Sequence, residues 1–61
     1  GLAVGGDDLL ALGFERGPAI GQTLEALLDM VIEETIRNER EPLLAEAKNR
    51  LSSLKKQGQL R

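Results

Sequence analysis

Glycine and proline residues divide this chain into segments, and within each segment the apolar residues recur at helical spacing. The first division is bracketed by Gly13 and by the Gly17-Pro18 pair. Apolar side chains three and four residues apart share one face of an α-helix, and no alternating run is long enough to indicate a β-strand. The pattern predicts an all-α fold: a small three-helix domain with a short helix, a glycine-proline hairpin and two longer amphipathic helices.

The first helix is predicted over residues 7–12, after an N-terminal lead of residues 1–6. We expect Asp7 to accept hydrogen bonds from the free N–H groups of the first turn. The charges of Asp7 and Asp8 also favour the positive end of the helix dipole. Gly13 is expected to end this helix, because glycine tolerates the left-handed conformation found just past a helix C-terminus.

The second helix is predicted over residues 18–36, with Pro18 at the first helical position, where proline is favoured. Its core face holds apolar residues at helical spacing: Ile20, Leu24, Leu27, Leu28 and Val31. A flanking row, formed by Leu28, Ile32 and Ile36, widens this apolar stripe. A stripe of this width predicts two packing partners.

An acidic ridge lies on the other side of the second helix. Glu25, Asp29 and Glu33 are spaced four residues apart. Like charges at this spacing repel each other by about 0.2 to 0.5 kcal/mol per pair, so the ridge is expected to face solvent. Such a row could hold a cation, but carboxylate rows are common on solvated helix faces, and we expect no metal here.

The third helix is predicted over residues 39–57. Asn38 and Glu41 have the N-x-x-E spacing of a capping box, so Asn38 is expected to cap the helix. Its buried face is expected to comprise Leu43, Leu44, Ala47, Leu51 and Leu54. The helix is expected to fade before Gly58, leaving residues 58–61 frayed.

Charge is segregated along the chain, although the net charge of all 61 residues is only −2. Residues 1–46 contain all ten acidic residues and three arginines, which gives −7. Residues 47–61 contain five basic residues and no acid, which gives +5. Glu46 and Arg50 are spaced to form an ion pair along the third helix. A polyanion is therefore expected to avoid the acidic ridge and to favour the C-terminal segment.

The composition excludes several classes of function. The chain has no His, Cys, Trp or Tyr, so it cannot form a Ser-His-Asp or Cys-His nucleophile pair, a thiolate or imidazole zinc site, or a disulfide. Catalysis within these residues is therefore not expected. No apolar run approaches 18 residues and no leader pattern is present, so we expect a cytoplasmic protein without a membrane partner. Because the chain begins with glycine, we expect it to be a domain of a longer polypeptide.

The hairpin is the first candidate binding site. Arg16, Gly17 and Gly21 surround the start of the second helix, where free N–H groups and an adjacent guanidinium suit a phosphate. The same residues also have a structural interpretation. Gly13 would end one helix, Gly17 would begin the next, and Gly21 would allow close packing of the hairpin. The pattern leaves both interpretations open.

The basic C-terminal stretch is the second candidate. Lys48, Lys55 and Lys56 could contact backbone phosphate, and binding would then be weak, salt-sensitive and independent of sequence. They could equally form a solvated face whose charges favour the negative end of the helix. The adjacent carboxylates Asp7 and Asp8 could suggest Mg²⁺, but that chemistry uses carboxylates on neighbouring strands, so helix capping is the favoured interpretation.

Several of these residues together resemble a known family. The chain resembles the C-terminal region of bacterial tRNA nucleotidyltransferases, the CCA-adding enzymes, and their poly(A) polymerase-like relatives, from Leu2 to about Ala47. The residues that carry the resemblance are Gly6, Asp8 and Leu9, then Leu12, Gly13, Gly17, Pro18, Ile20 and Gly21, then Leu24 and Leu27, and finally Asn38, Leu43 and Leu44.

The resemblance implies a noncatalytic helical tail that holds tRNA while an N-terminal head adds nucleotides to the 3′ end. It implies no catalytic residue in this chain and no cofactor bound by it. The parent enzyme would use Mg²⁺ with ATP and CTP, and the partners would be tRNA and the remainder of the polypeptide. One segment departs from the family pattern: relatives place a glycine-containing turn before the asparagine, whereas this chain has Glu33-Glu34-Thr35-Ile36-Arg37.

Two other classes of function fit the residues. The flanking apolar row would suit a structural module that packs on the rest of its chain or self-associates. The glycine hairpin would suit a helix-hairpin-helix DNA-binding module, although the loop from Leu12 to Gly17 is longer than is usual in that motif.

Overall fold

The structure, a computed structural model, describes residues 1–59, and for residues 57–59 the backbone only. Three helices occupy this range: α1 (Gly6–Leu12), α2 (Pro18–Ile32) and α3 (Arg40–Gln59). Each helix packs against the other two, and residues 1–59 contain no strand. The predicted all-α, three-helix class is therefore confirmed. None of the helices within the described residues is long and apolar enough to cross a membrane.

One small core lies where the three helices meet. Each helix contributes one leucine with no exposed surface, namely Leu9, Leu27 and Leu43. Val4, Phe14 and Ala47 complete the buried set. Burying a leucine side chain is worth about 1.5 to 3 kcal/mol, so these three leucines hold the helices together.

The outer surface of α2 departs in part from the sequence prediction. The acidic ridge of Glu25, Asp29 and Glu33 is exposed, as expected. In the flanking row, Leu28 and Ile32 are 40% and 68% exposed, so the second packing partner predicted for them is not supplied by the described residues.

The N-terminus of α1 is capped by a different aspartate from the one predicted. The helix begins at Gly6, with Gly5 as its N-cap. This places Asp8 third in the helix, the position from which a carboxylate can reach back to the cap. Asp8 Oδ2 accepts a hydrogen bond from the Gly5 N–H at 2.9 Å. The assignment of the cap to Asp7 was wrong because the helix starts one residue earlier than predicted.

The C-terminus of α1 follows the prediction. Gly13 has a φ angle of +118°, in the left-handed region. Its N–H donates to the Leu10 carbonyl at 3.0 Å, and the Phe14 N–H donates to the Leu9 carbonyl at 3.0 Å. This pair of bonds is the Schellman motif, which satisfies carbonyls at the end of a helix. Phe14 and Leu9 are both buried, which supplies the apolar contact that often accompanies the motif.

The prediction that α2 extends to residue 36 was wrong, because the helix ends at Ile32. Glu34 has a φ angle of +63°, its N–H donates to Val31, and the Thr35 N–H donates to Met30 at 2.9 Å. This is again the Schellman pattern, now with glutamate in the left-handed position. The apolar spacing continues to Ile36, but that residue reaches the core after the chain has turned.

Asn38 does not cap α3, so the predicted capping box was wrong. The helix begins at Arg40, two residues past Asn38. The Asn38 side chain instead accepts a hydrogen bond from the Ala3 N–H and donates one to the Gly1 carbonyl, each at 2.8 Å. Asn38 therefore fastens the N-terminal lead to the turn between α2 and α3.

The end of α3 also differs from the prediction. The helix continues through Gly58 to Gln59 instead of fading before Gly58, since one glycine near a helix end costs only about 1 kcal/mol relative to alanine. The predicted fraying of residues 60 and 61 lies outside the described residues. The predicted Glu46–Arg50 ion pair is confirmed, at 3.0 Å, and Arg50 also lies 3.8 Å from the sulfur of Met30 on α2.

Candidate nucleic-acid interface

The hairpin between α1 and α2 depends on two glycines with positive φ angles, Gly13 and Gly17. Gly17 is the N-cap of α2 and has a φ angle of +139°, and Pro18 takes the first helical position. A side chain at Gly17 would strain the backbone, whereas Pro18 loses nothing because the first helical N–H has no intrahelical partner. This backbone leaves the start of α2 open at the surface.

The structure brings the three predicted hairpin residues together. Arg16, Gly17 and Gly21 line one surface hollow of about 310 Å³. Arg16 is exposed, and within residues 1–59 the ion pairs are those of Arg40 and Arg50, so the Arg16 guanidinium has no carboxylate partner in this part of the chain. Asp7 also lines the hollow, which places one negative charge at its rim.

Gly21 does not serve close packing. A Cβ atom built on Gly21 would meet no atom of the described residues within 4 Å, so the packing interpretation was wrong at this position. The reason is that Gly21 is exposed on α2. By contrast, a Cβ on Gly6 would lie 3.5 Å from Ile20, so α1 approaches α2 closely at Gly6. Gly21 leaves bare helix surface beside Arg16.

The predicted lysines of α3 are exposed but do not all lie at the hairpin. Lys48 and Lys55 are seven residues apart, which places them on one side of the helix and about 10 Å apart along its axis. Lys55 lines a hollow of about 250 Å³ together with Gly13, Phe14 and Glu15. Lys48 lines a different hollow, beside Ile36 and Pro42.

The six predicted residues thus form three groups. Arg16, Gly17 and Gly21 share the hollow on the α1 side of α2, and Lys55 lies on the α3 side of the same hairpin. Lys56 is exposed one residue further along α3. Lys48 stands apart, two turns closer to the start of α3. Phosphates spaced along a backbone could contact all three groups, whereas one small ligand could not.

An ion pair that the sequence did not indicate ties α1 to α3. Asp8 Oδ1 lies 3.0 Å from a guanidinium nitrogen of Arg40. The hydrogen bond from the Gly5 N–H, followed by that from Arg40, lowers the pKa of Asp8 below its ordinary value. The Asp8 carboxylate therefore stabilises the fold through its bonds to Gly5 and Arg40. No short-range pattern could have revealed this pair, because 32 residues separate its members.

These features define a class: a small helical domain with exposed cations at a glycine hairpin and along one helix. A family model described as "tRNA nucleotidyltransferase domain 2 putative" matches residues 1–47, more than three quarters of the chain. The chain belongs to this tRNA nucleotidyltransferase family, so the predicted family is confirmed. No curated protein and no solved structure matches the chain.

Proposed function

We propose that this chain is a noncatalytic, tRNA-contacting domain in the C-terminal part of a tRNA nucleotidyltransferase. The observation that carries the proposal is the match of residues 1–47 to a domain of that family. The domain would hold the tRNA while another part of the enzyme adds CCA to its 3′ end. We place this domain in the cytoplasm with its parent.

Exposed cations without acidic partners support a role in contacting RNA. Arg16, Lys48, Lys55 and Lys56 are exposed, and none of them is ion-paired within residues 1–59. Cations of this kind release counterions from a nucleic acid and bind its phosphates without reading bases. Recognition of folded tRNA by shape needs no stacking aromatic residue, and the single aromatic residue, Phe14, is in the core.

The catalytic chemistry is assigned to the rest of the parent enzyme. Nucleotidyl transfer uses Mg²⁺ held by carboxylates, together with ATP and CTP as nucleotide donors. Asp8 is already engaged by Gly5 and Arg40, and the acidic ridge of α2 lies on an exposed helix face. We assign no catalytic residue, metal or nucleotide cofactor to this chain.

The proposal is tested by titrating the chain with tRNA over a range of salt concentrations. Replacing Arg16, Lys48 and Lys55 together with alanine should weaken binding. It should also reduce the slope of log affinity against log salt by about 0.7 to 0.9 for each phosphate that the variant no longer neutralises. Unchanged affinity and slope would contradict the phosphate assignment. Equal binding to duplex DNA would favour a helix-hairpin-helix module instead.

A matched pair of variants tests the hairpin without touching the core. Gly21→Glu places a carboxylate where a Cβ meets no neighbouring atom, whereas Gln22→Glu adds the same charge at the next exposed position of α2. We expect Gly21→Glu to weaken tRNA binding more than Gln22→Glu, with no loss of helicity by circular dichroism in either variant. Equal losses would show that only net charge matters and that the hairpin makes no local contact.

A structural role is the second candidate function. It is favoured by one observation, the exposure of Leu28 and Ile32 beside each other on α2. A domain that packs against the rest of its parent would cover these side chains. Protection of amide hydrogens of α2 in the parent enzyme, relative to the isolated chain, would support this role, and equal protection would exclude it.

A further inference from the structure

A shallow hollow beside α3 combines one cation with two neutral polar side chains. Lys48, Asn49 and Ser52 line this hollow of about 570 Å³, and all three are exposed. Ser52 lies three residues after Asn49 and four after Lys48, so it is a neighbour of both on the helix surface, with Cβ atoms about 5 to 6 Å apart. The hollow therefore presents an ammonium, an amide and a hydroxyl group to the same ligand.

The rest of the lining is apolar or already paired. Ile36, Pro42 and Ala45 supply apolar surface, and the first two are half-buried. The acidic residue of the lining, Glu46, lies 3.0 Å from the Arg50 guanidinium. Its charge is therefore offset by an ion pair, and the lysine gives the hollow its positive character.

A ribonucleotide carries the groups that match this lining. A lysine only donates hydrogen bonds and suits a phosphate, whereas an amide and a serine hydroxyl each donate and accept. The ribose 2′-hydroxyl also donates and accepts, and it is on the carbon next to the one that carries the 3′ phosphate. Neutral side chains release no counterions, so the amide and the hydroxyl would add nothing to a site that binds phosphate by charge alone.

We propose, on the basis of the tRNA contact proposed above, that this hollow binds the tRNA backbone at a single ribonucleotide. Lys48 contacts the phosphate, Asn49 and Ser52 hydrogen-bond to the ribose 2′-hydroxyl, and the ribose ring lies against the apolar surface at Pro42. The site recognises the sugar and not the base, so it distinguishes RNA from DNA without preferring a sequence. Lys48, which stands apart from the hairpin, thereby has a contact of its own.

The test compares two forms of one tRNA transcript, which carry 2′-hydroxyl or 2′-fluoro groups on the ribose. Fluorine keeps the ribose near its RNA conformation but cannot donate a hydrogen bond. The 61-residue chain should bind the fluoro form more weakly. The double variant Asn49→Ala with Ser52→Ala should lose about fivefold or more in affinity for the hydroxyl form, as expected for a neutral hydrogen bond. It should bind the fluoro form as the unsubstituted chain does.

This cycle of two chains and two RNAs isolates the contact, because a change in the shape of the fluorinated tRNA affects both chains alike. Ser53→Ala is the matched control: Ser53 is exposed at the next position of α3 but does not line this hollow, so both affinities should stay unchanged. Lys48→Ala should weaken both forms equally and reduce the slope of log affinity against log salt by about 0.7 to 0.9. Alanine favours a helix at each of these positions, so no variant should lose helicity.

Three results would overturn the proposal: equal binding of the two forms by the unsubstituted chain, an equal loss for both forms in the double variant, or a loss no larger than that of Ser53→Ala. None of them would contradict the proposed tRNA contact, which depends on phosphates. That contact fails instead if tRNA affinity and salt slope are unchanged when Arg16, Lys48 and Lys55 are replaced together.

Discussion

The two turns that join the three helices begin with the same backbone conformation but differ in sequence. Both α1 and α2 end in a Schellman motif whose left-handed residue is Gly13 in the first turn and Glu34 in the second. The next residue is the buried Phe14 in the first case and the exposed Thr35 in the second. The first turn is held by an apolar anchor, and the second by an added hydrogen bond from Thr35 Oγ1 to the Met30 carbonyl.

This difference shows that such a turn favours glycine but does not require it. At Gly13 the chain takes the left-handed conformation without steric cost, and the helix end could be read from the sequence. At Glu34 the same conformation costs about 1 to 2 kcal/mol, so the surrounding contacts must compensate. Asn38 supplies two of them by bonding to Gly1 and Ala3.

The largest effect is expected at Phe14, which follows the left-handed residue of the first turn and corresponds to Thr35 in the second. Phe14→Ala should destabilise the chain by about 3 kcal/mol, since it removes a large buried side chain. Thr35→Ala should cost only about 0.5 kcal/mol, since it removes one exposed hydrogen bond. Urea denaturation followed by circular dichroism measures both. Similar losses would mean that the two turns are anchored alike.

The next effect is expected at Gly13. Gly13→Ala should cost about 1 to 2 kcal/mol, because alanine is strained in the left-handed region and its Cβ would approach Leu51 to 3.4 Å. The same denaturation measurement applies. A neutral result would show that the first turn can relax and that the glycine is not required there.

Glu34→Gly should act in the opposite direction and stabilise the chain by about 1 kcal/mol, because glycine relieves the left-handed strain at Glu34. The gain should appear as a higher urea midpoint with an unchanged slope. Loss of stability would indicate that the Glu34 side chain makes a contact that matters more than its backbone strain.

The smallest effect is expected from Asp8, whose ion pair with Arg40 fixes the residue that begins α3 after the second turn. Its pKa is lowered in the folded chain, so its contribution is fully present above the unfolded pKa and is lost as the pH falls through the folded pKa. Unfolding measured from neutral to acidic pH should therefore show stability falling on the acid side. Asp8→Asn should flatten that dependence, and an unchanged pH profile in the variant would contradict the assignment.

The helix boundaries marked by Gly13 and Pro18 could be predicted from the sequence, and distant pairings could not. The starts and ends set by Gly13 and Pro18 depend on neighbouring residues, so they were predicted correctly. Asn38 had the spacing of a cap, yet its partners lie at Gly1 and Ala3. A capping pattern cannot reveal that a more distant segment competes for the same side chain.

In the candidate interface, too, the part formed by neighbouring residues could be predicted from the sequence, and the part formed by distant residues could not. Arg16, Gly17 and Gly21 are close in sequence, and the structure places them around one hollow. The position of Lys55 beside Gly13 and Phe14 depends on the angle between α3 and the hairpin, which no spacing rule encodes. The sequence predicted the apolar row of Leu28 and Ile32 on α2. That these side chains lack a packing partner within residues 1–59 became clear only from the packing of the three helices.

The two turns also allow the most direct test of the proposed tRNA contact. Each contains an exposed arginine, Arg16 or Arg37, that has no ion-pair partner within residues 1–59. Arg16 lies beside the open start of α2, whereas Arg37 lies among Glu34, Glu39 and Asn38. The tRNA affinities of Arg16→Ala and Arg37→Ala should be measured side by side at several salt concentrations. We expect Arg16→Ala to weaken binding and lower the salt slope by about 1, with Arg37→Ala close to the unsubstituted chain. Equal effects of the two variants, or a larger effect of Arg37→Ala, would contradict tRNA binding at the hairpin.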